Sequence, residues 1–188
     1  MIKIQHMDFK IFILIFNIIL FLFILGGFYG VIWTPTKKRD YDRIAKLIDL
    51  KPEVIFYDLG SGTGNLLFHF SKRYKIKCVG IEISPVLYLY SKFISIFFKN
   101  VEIKYGDFFK KNLSEANVIY AFLHPKMYEK LKEKIFREVK KDSTVIVLST
   151  WPFENIIPSK ISQEKGESTY FLYKKADFHS QLLENKVY

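Results

Sequence analysis

Hydrophobic and polar positions divide the chain into two regimes. From Ile11 to Trp33 the sequence reads IFILIFNIILFLFILGGFYGVIW, with Asn17 its one strongly polar side chain and no charge. About 23 residues of helix reach roughly 34 Å, enough to cross a hydrocarbon core of about 30 Å. The run is longer and more uniform than a buried core helix. It also exceeds the apolar region of a secretory signal, and no small-residue cleavage site follows it. A transmembrane helix over residues 11–33 is expected, with a flank at 1–10 and one domain over 34–188.

Beyond the span the pattern alternates. Tyr41, Ile44, Ala45, Leu47, Ile48 and Leu50 form a helical stripe that Pro52 ends. Short apolar runs that suit buried parallel strands then follow at 54–58, 78–83, 101–105, 117–122 and 144–150. Amphipathic segments at about 65–73, 85–98 and 126–140 separate them. Two weaker strands, 157–162 and 169–174, are joined across EKGES as a hairpin. Alternating strand and helix predict an α/β fold, a doubly wound sheet of seven strands preceded by one transmembrane helix.

Charge adds orientation. Lys3 and Lys10 precede the span, whereas Lys37, Lys38, Arg39 and Arg43 crowd just after it, so the positive-inside rule places the domain on the cytoplasmic side of a single-pass membrane protein. The net charge of +10 favours an anionic partner, or simply makes a solvated basic surface. Cys78 is the single cysteine and lies in an apolar run, which fits a reduced core residue in a reducing compartment.

The chemistry concentrates where strands end. The first strand runs into DLGSGTG, Asp58 to Gly64, whose Gly60, Ser61, Gly62 and Gly64 let the backbone turn tightly and approach a ligand. Asp58 repels a phosphate and welcomes an ammonium, which points from a dinucleotide to S-adenosylmethionine, a ligand with an α-amino group and no phosphate. Glu82, followed by Ile83, ends the second strand about 20 residues beyond the glycines, where an acid accepts ribose hydroxyls. Asp107 can accept from an adenine amino group while Phe108 packs on the ring. A lone acid is more often a surface or capping residue, but three at successive strand ends mark the edge where open α/β sheets bind ligands.

With these residues in place the chain resembles the class I S-adenosylmethionine-dependent methyltransferases over about Thr34 to Tyr173, which implies a Rossmann-like methyltransferase sheet. More narrowly it is similar to the ATP synthase c-subunit lysine methyltransferase family, small membrane-anchored protein-lysine methyltransferases. WTPT at Trp33–Thr36, VGIEISPVLYLYSKF from Val79 and AFLHPKMYEKLKEKI from Ala121 carry that likeness. It departs from the family in having Trp33 where a tyrosine is usual, and Thr63-Gly64 where the loop usually ends in Asp-Gly.

After the fourth strand, methyltransferases of amide and ring amino groups place Asn or Asp before Pro-Pro-Tyr or Pro-Pro-Phe. This chain has Phe122-Leu123-His124-Pro125, which argues against a nucleic-acid substrate. His124 either takes the proton of an incoming lysine or caps the following helix. Leu123, Pro125, Trp151 and Phe153 are candidate walls of an apolar lysine channel, closed by Trp33 and Thr36; ordinary loop packing is the alternative. No metal is required. Because Trp33 to Thr36 would serve both helix exit and pocket, a membrane-bound protein substrate is expected, with phospholipid headgroup N-methylation or a non-catalytic S-adenosylmethionine-binding membrane scaffold as alternatives.

Overall fold

The computed structural model describes residues 9–18, 20 and 34–178. Residues 9–18 and 20 are helical, and the amide of Asn17 donates to the carbonyl of Ile13 at 2.8 Å, so this polar side chain is satisfied within its own helix. No helix among the described residues is long and apolar enough to cross a membrane. Residues 19 and 21–33 of the expected span lie outside the described residues, as does Trp33.

The domain is built on one seven-stranded sheet in the order β3-β2-β1-β4-β5-β7-β6. Its strands are β1 (Ile55–Leu59), β2 (Lys77–Glu82), β3 (Val101–Tyr105), β4 (Val118–Ala121), β5 (Val145–Ser149), β6 (Lys160–Ser162) and β7 (Tyr170–Lys174). The first five are parallel, while β7 runs antiparallel to both β5 and β6. The helices are α1 (Tyr41–Ile48), α2 (Asn65–Tyr74), α3 (Pro85–Ser95) and α4 (Tyr128–Glu138). This is the expected Rossmann-like arrangement, with the hairpin of β6 and β7 where the sequence pattern puts it. The fourth helix starts later than its sequence pattern indicates, because Pro125 opens a separate 3-10 turn, Pro125–Met127.

Strand residues alternate between two cores, as the two-residue period requires. Tyr57, Leu59, Val79 and Ile81 face α4, whose Tyr128, Leu131 and Ile135 form one buried stripe. Phe56, Cys78, Val118 and Tyr120 face α1 and α2 instead. Each fully buried Phe, Leu or Ile contributes roughly 1.5–3 kcal/mol, so sheet and helices are held chiefly by these two layers.

A polar clamp fastens the lead-in helix to the far strands. Asp40 is 2 % exposed; its Oδ2 accepts from the Tyr170 hydroxyl at 3.0 Å and its Oδ1 lies 3.6 Å from the Arg43 guanidinium. Arg43 also donates to the carbonyl of Ser168 and lies 4.6 Å from the centre of the Tyr170 ring. Asp40→Ala would leave the Tyr170 hydroxyl unpaired and Arg43 with only the more exposed acid Glu164, 3.5 Å away, so it should destabilise the domain by about 1–3 kcal/mol, read as a lower urea midpoint at unchanged slope.

Candidate functional site

Three loops meet at the carboxyl ends of β1, β2 and β3, and Glu82 joins them. Its Oε2 accepts from the Gly62 amide and its Oε1 from the Ser84 amide, each at 2.7 Å. Its own carbonyl accepts from the Gly106 amide at 2.8 Å. One residue earlier, the carbonyl of Ile81 accepts from the amides of Gly60 and Ser61 at 2.9 and 3.1 Å. The end of β2 thus organises the glycine loop, the start of α3 and the loop after β3. Burial, the largest cause, raises the Glu82 carboxyl above its ordinary range, and the amides of Ser84 and Gly62 oppose that rise.

Gly64 occupies the left-handed region at φ 76° and precedes α2, and a Cβ there would lie 3.0 Å from the Phe68 ring. Gly60, at φ 79°, has Leu123 beneath it, 3.3 Å from where its Cβ would stand. The loop therefore lies flat across the sheet edge, held there by its own amides: those of Gly60 and Ser61 donate to Ile81, that of Gly62 to Glu82 and that of Gly64 to the Ser61 carbonyl at 2.9 Å.

Asp58 sits inside this cradle, 5 % exposed, with no hydrogen-bond donor or cation on it among the described residues. Burial, and then the neighbouring Glu82, push its carboxyl from 3.8 up to about 8. The Ser61 hydroxyl is also buried without a partner. A buried carboxyl that ionises only with a cation beside it and a second acid at the next strand end match the ammonium and ribose hydroxyls of S-adenosylmethionine, so the residues present fit that cofactor.

The other candidates divide. Asp107 lies just past β3, and its Oδ1 accepts from the Phe109 amide at 2.8 Å, capping the 3-10 turn Phe108–Lys110. Phe108 belongs mainly to the α4-side core, its ring 4.4 Å from that of Phe109, while Ile83 is half-buried beside Glu82. Thr36 Oγ1 lies 2.7 Å from the hydroxyl of Tyr120, which places the lead-in segment over β4.

Pro125 and His124 are exposed on the loop after β4. His124 Nδ1 accepts from the Lys126 amide at 3.3 Å, so the capping alternative is the one present. In that arrangement Nδ1 is engaged by the backbone of the turn that follows. Trp151 is 40 % exposed with its ring 6.3 Å from Phe122, an open apolar bank beyond β4 and β5. Phe153 is a core residue: it is 3 % exposed and packs on Tyr128, Tyr173 and Phe178. The chain turns inward after Trp151, so Phe153, like the buried Leu123, is a packing residue and not an open channel wall.

Two contributors escape the motif-level reading. A Cβ at Gly80, in the middle of β2, would come within 2.6 Å of both Ser61 Oγ and Leu67 Cδ1. A glycine inside a strand is the available signal of such a close approach. Gly80→Ala should lift the glycine loop from the sheet and cost about 1–3 kcal/mol, with a lower melting temperature and weaker S-adenosylmethionine binding by calorimetry. Tyr128 is the other: its hydroxyl donates to the Ser149 carbonyl at 3.2 Å and accepts from the Leu123 amide at 3.4 Å, joining the loops after β4 and β5.

A family profile described as "ANTKMT methyltransferase domain" matches residues 58–160. A protein-lysine N-methyltransferase of Saccharolobus islandicus (strain REY15A) is 27 % identical over 155 residues, 75 % of this chain and 91 % of the relative. A probable ribosomal RNA small subunit methyltransferase A of Methanosarcina barkeri (strain Fusaro / DSM 804) is 32 % identical over 98 residues, 51 % of this chain but only 33 % of that protein. The crystal structure of an RNA methyltransferase from Salinibacter ruber in complex with S-adenosyl-L-homocysteine superposes with a TM-score of 0.71 at 28 % identity, covering 75 % of this chain and 93 % of the other. With the cradle, the strand order and the matched residues in agreement, the chain belongs to the ANTKMT methyltransferase domain family and is a class I S-adenosylmethionine-dependent methyltransferase.

Proposed function

We propose that this enzyme is a membrane-anchored protein-lysine N-methyltransferase. Its span over residues 11–33 holds the domain of residues 34–188 on the cytoplasmic face, and its substrate is a lysine of a membrane protein. The observation that carries the acceptor is the apolar bank of Phe122 and Trp151 beyond the ends of β4 and β5. Neither Phe122–Pro125 nor Ser149–Phe153 contains an Asn, Asp, Gln or Glu to hold a planar amino group. The aliphatic stem of a lysine suits such a wall, and the likeness to the Saccharolobus protein-lysine enzyme supports the same acceptor.

Asp58 would hold the ligand's α-amino group, the backbone of Gly60 to Gly64 would line its amino-acid end, Glu82 would accept the ribose hydroxyls, and Asp107 with Ile83 and Phe108 would border the adenine. When bound, S-adenosylmethionine supplies an electrophilic methyl on a sulfonium, and its transfer to lysine Nζ leaves S-adenosylhomocysteine. With His124 committed to its cap, the lysine sheds its proton to solvent before it enters the dry bank, and the chain's contribution is orientation and exclusion of water.

The test incubates the full chain with methyl-labelled S-adenosylmethionine and membranes, then separates protein, lipid and RNA. Label on a discrete membrane-protein band, recovered as methyl-lysine after hydrolysis, is the expected outcome. Label in the organic extract establishes a headgroup methyltransferase instead, and label in RNA an acceptor like that named for the Salinibacter protein. Binding without transfer to any fraction leaves a scaffold.

A further inference from the structure

Helix α3 turns the usual amphipathic arrangement inside out. Its buried positions are Ser91 and Ser95, whose hydroxyls are satisfied within the helix by the carbonyls of Tyr88 and Lys92 at 3.1 and 2.7 Å. These small side chains allow a close approach to α2, where a Cβ on Gly64 would lie 3.4 Å from the Ser91 Cβ. The opposite face, continuing into the tightened turn after Ser95, carries Leu89, Tyr90, Phe93, Ile96 and Phe97, which are 60, 52, 63, 73 and 74 % exposed. Spacings of four, three and one residue from Leu89 through Phe93 and Ile96 to Phe97 put them in one stripe along the helix. A contiguous outward stripe of this kind marks a contact surface rather than a solvated one.

The charge around the stripe says what covers it. Lys92 borders it on the helix, Lys99 follows it, and the chain that carries exposed Lys75 and Lys77 adjoins its lower end, where the Asn100 side-chain amide donates to the Lys75 carbonyl and the Asn100 carbonyl accepts from the Cys78 amide. None of these four lysines forms an ion pair among the described residues, and Glu102, on the adjoining strand β3, is already 3.6 Å from Lys104. An apolar stripe with an uncompensated basic rim matches the acyl boundary and the phosphates of an anionic bilayer, as interfacial helices do.

We propose that the outward face of α3 seats the domain on an anionic lipid surface, a second membrane contact distinct from the N-terminal span. This rests on the membrane-anchored reading given above and adds an orientation to it. A single tether leaves the domain free to tumble, whereas two contacts hold one edge of the sheet, and with it the strand ends that bear the site, at a set angle to the bilayer.

The full chain carrying Phe93→Cys, or in a second variant Phe97→Cys, is labelled with an environment-sensitive fluorophore; Glu133→Cys on α4 is the control. Cys78 is fully buried with its thiol pushed up to about 12, so the introduced thiol takes the label. In vesicles of phosphatidylcholine mixed with phosphatidylglycerol, the emission at positions 93 and 97 should shift to the blue and iodide quenching should fall several-fold, with the control unchanged. High salt or pure phosphatidylcholine should weaken both effects. A probe at 93 and 97 as quenched as the control overturns the proposal. So does a shift already present in detergent regardless of lipid charge, which identifies the chain's own apolar segment or a second copy as the occupant. A shift that appears only with an added protein substrate overturns it in favour of protein docking. Flotation separates the two levels: protein that fails to float with vesicles overturns the anchored reading and this one together, and floating protein with an unshifted probe overturns this one alone.

Discussion

Glu82→Ala is expected to weaken S-adenosylmethionine binding by at least about 100-fold in calorimetry, because two hydrogen bonds to a charged acceptor are worth roughly 1.5–3 kcal/mol each. The loss is double. The carboxylate no longer meets the ribose hydroxyls, and the Gly62 amide, which it accepts at 2.7 Å, no longer has its anchor. Stranding a buried N–H costs about 1–3 kcal/mol, so the apo protein should also melt earlier. Glu82 thus serves as a support of the glycine loop as well as a ligand contact. Glu82→Gln keeps one acceptor oxygen and should fall between the two. Affinity of the alanine variant within fivefold of the parent would remove Glu82 from the site.

Affinity for S-adenosylmethionine should rise steeply with pH between about 6 and about 7.5, by up to roughly tenfold per unit. The Asp58 carboxyl is held at about 8 by burial and then by Glu82, so below that pH the free protein keeps it protonated. Accepting an ammonium requires the carboxylate, and binding must release a proton. Above about 7.7–8.0 the ligand's own α-amino group begins to lose its charge, which ends the rise. Calorimetry in buffers of different ionisation enthalpy measures the released proton directly. Asp58→Asn should bind weakly and without this pH dependence.

The same shift fixes a sign for stability. A carboxyl raised from 3.8 to about 8 by folding leaves the folded state protonated while the unfolded chain has already ionised. The contribution of this carboxyl to stability is therefore whole below about pH 4 and declines as pH rises toward 8. Asp58→Asn should melt higher than the parent near pH 8 and no higher near pH 4. Equal differences at both pH values would show that the carboxyl is not held protonated.

Much of this was readable along the chain because it is local. The glycines of Asp58–Gly64, the acids at 58, 82 and 107, and the alternation of apolar strands with amphipathic helices each answer to a backbone need or a period of a few residues. The structure confirms the sheet and brings the three acids to adjacent strands, with Asp58 beside Gly80 and Glu82 beside Tyr105 in register. The two roles of Glu82 were only half legible. Its place at a strand end is a matter of sequence distance, whereas its grip on the Gly62 and Ser84 amides depends on how the glycine loop folds over β2.

Other features depended on packing from the outset. Phe153 and Trp151 stand two residues apart in one aromatic loop, yet one is in the core and the other open, because the chain turns inward toward Tyr173 and Phe178. The stretch PVLYLYSKFIS is periodic whichever side faces in; the narrow gap to Gly64 selects the serine side and leaves the aromatic one outside. Sequence by itself determined the class of fold, the glycine cradle and the acids that suit S-adenosylmethionine, since turn geometry, period and strand-end placement are written among near neighbours. Tertiary structure decided which faces are buried, where His124 and Phe153 spend their polar and apolar groups, and how far Asp58 is lifted, since those depend on the distance and dielectric between residues that the sheet brings together.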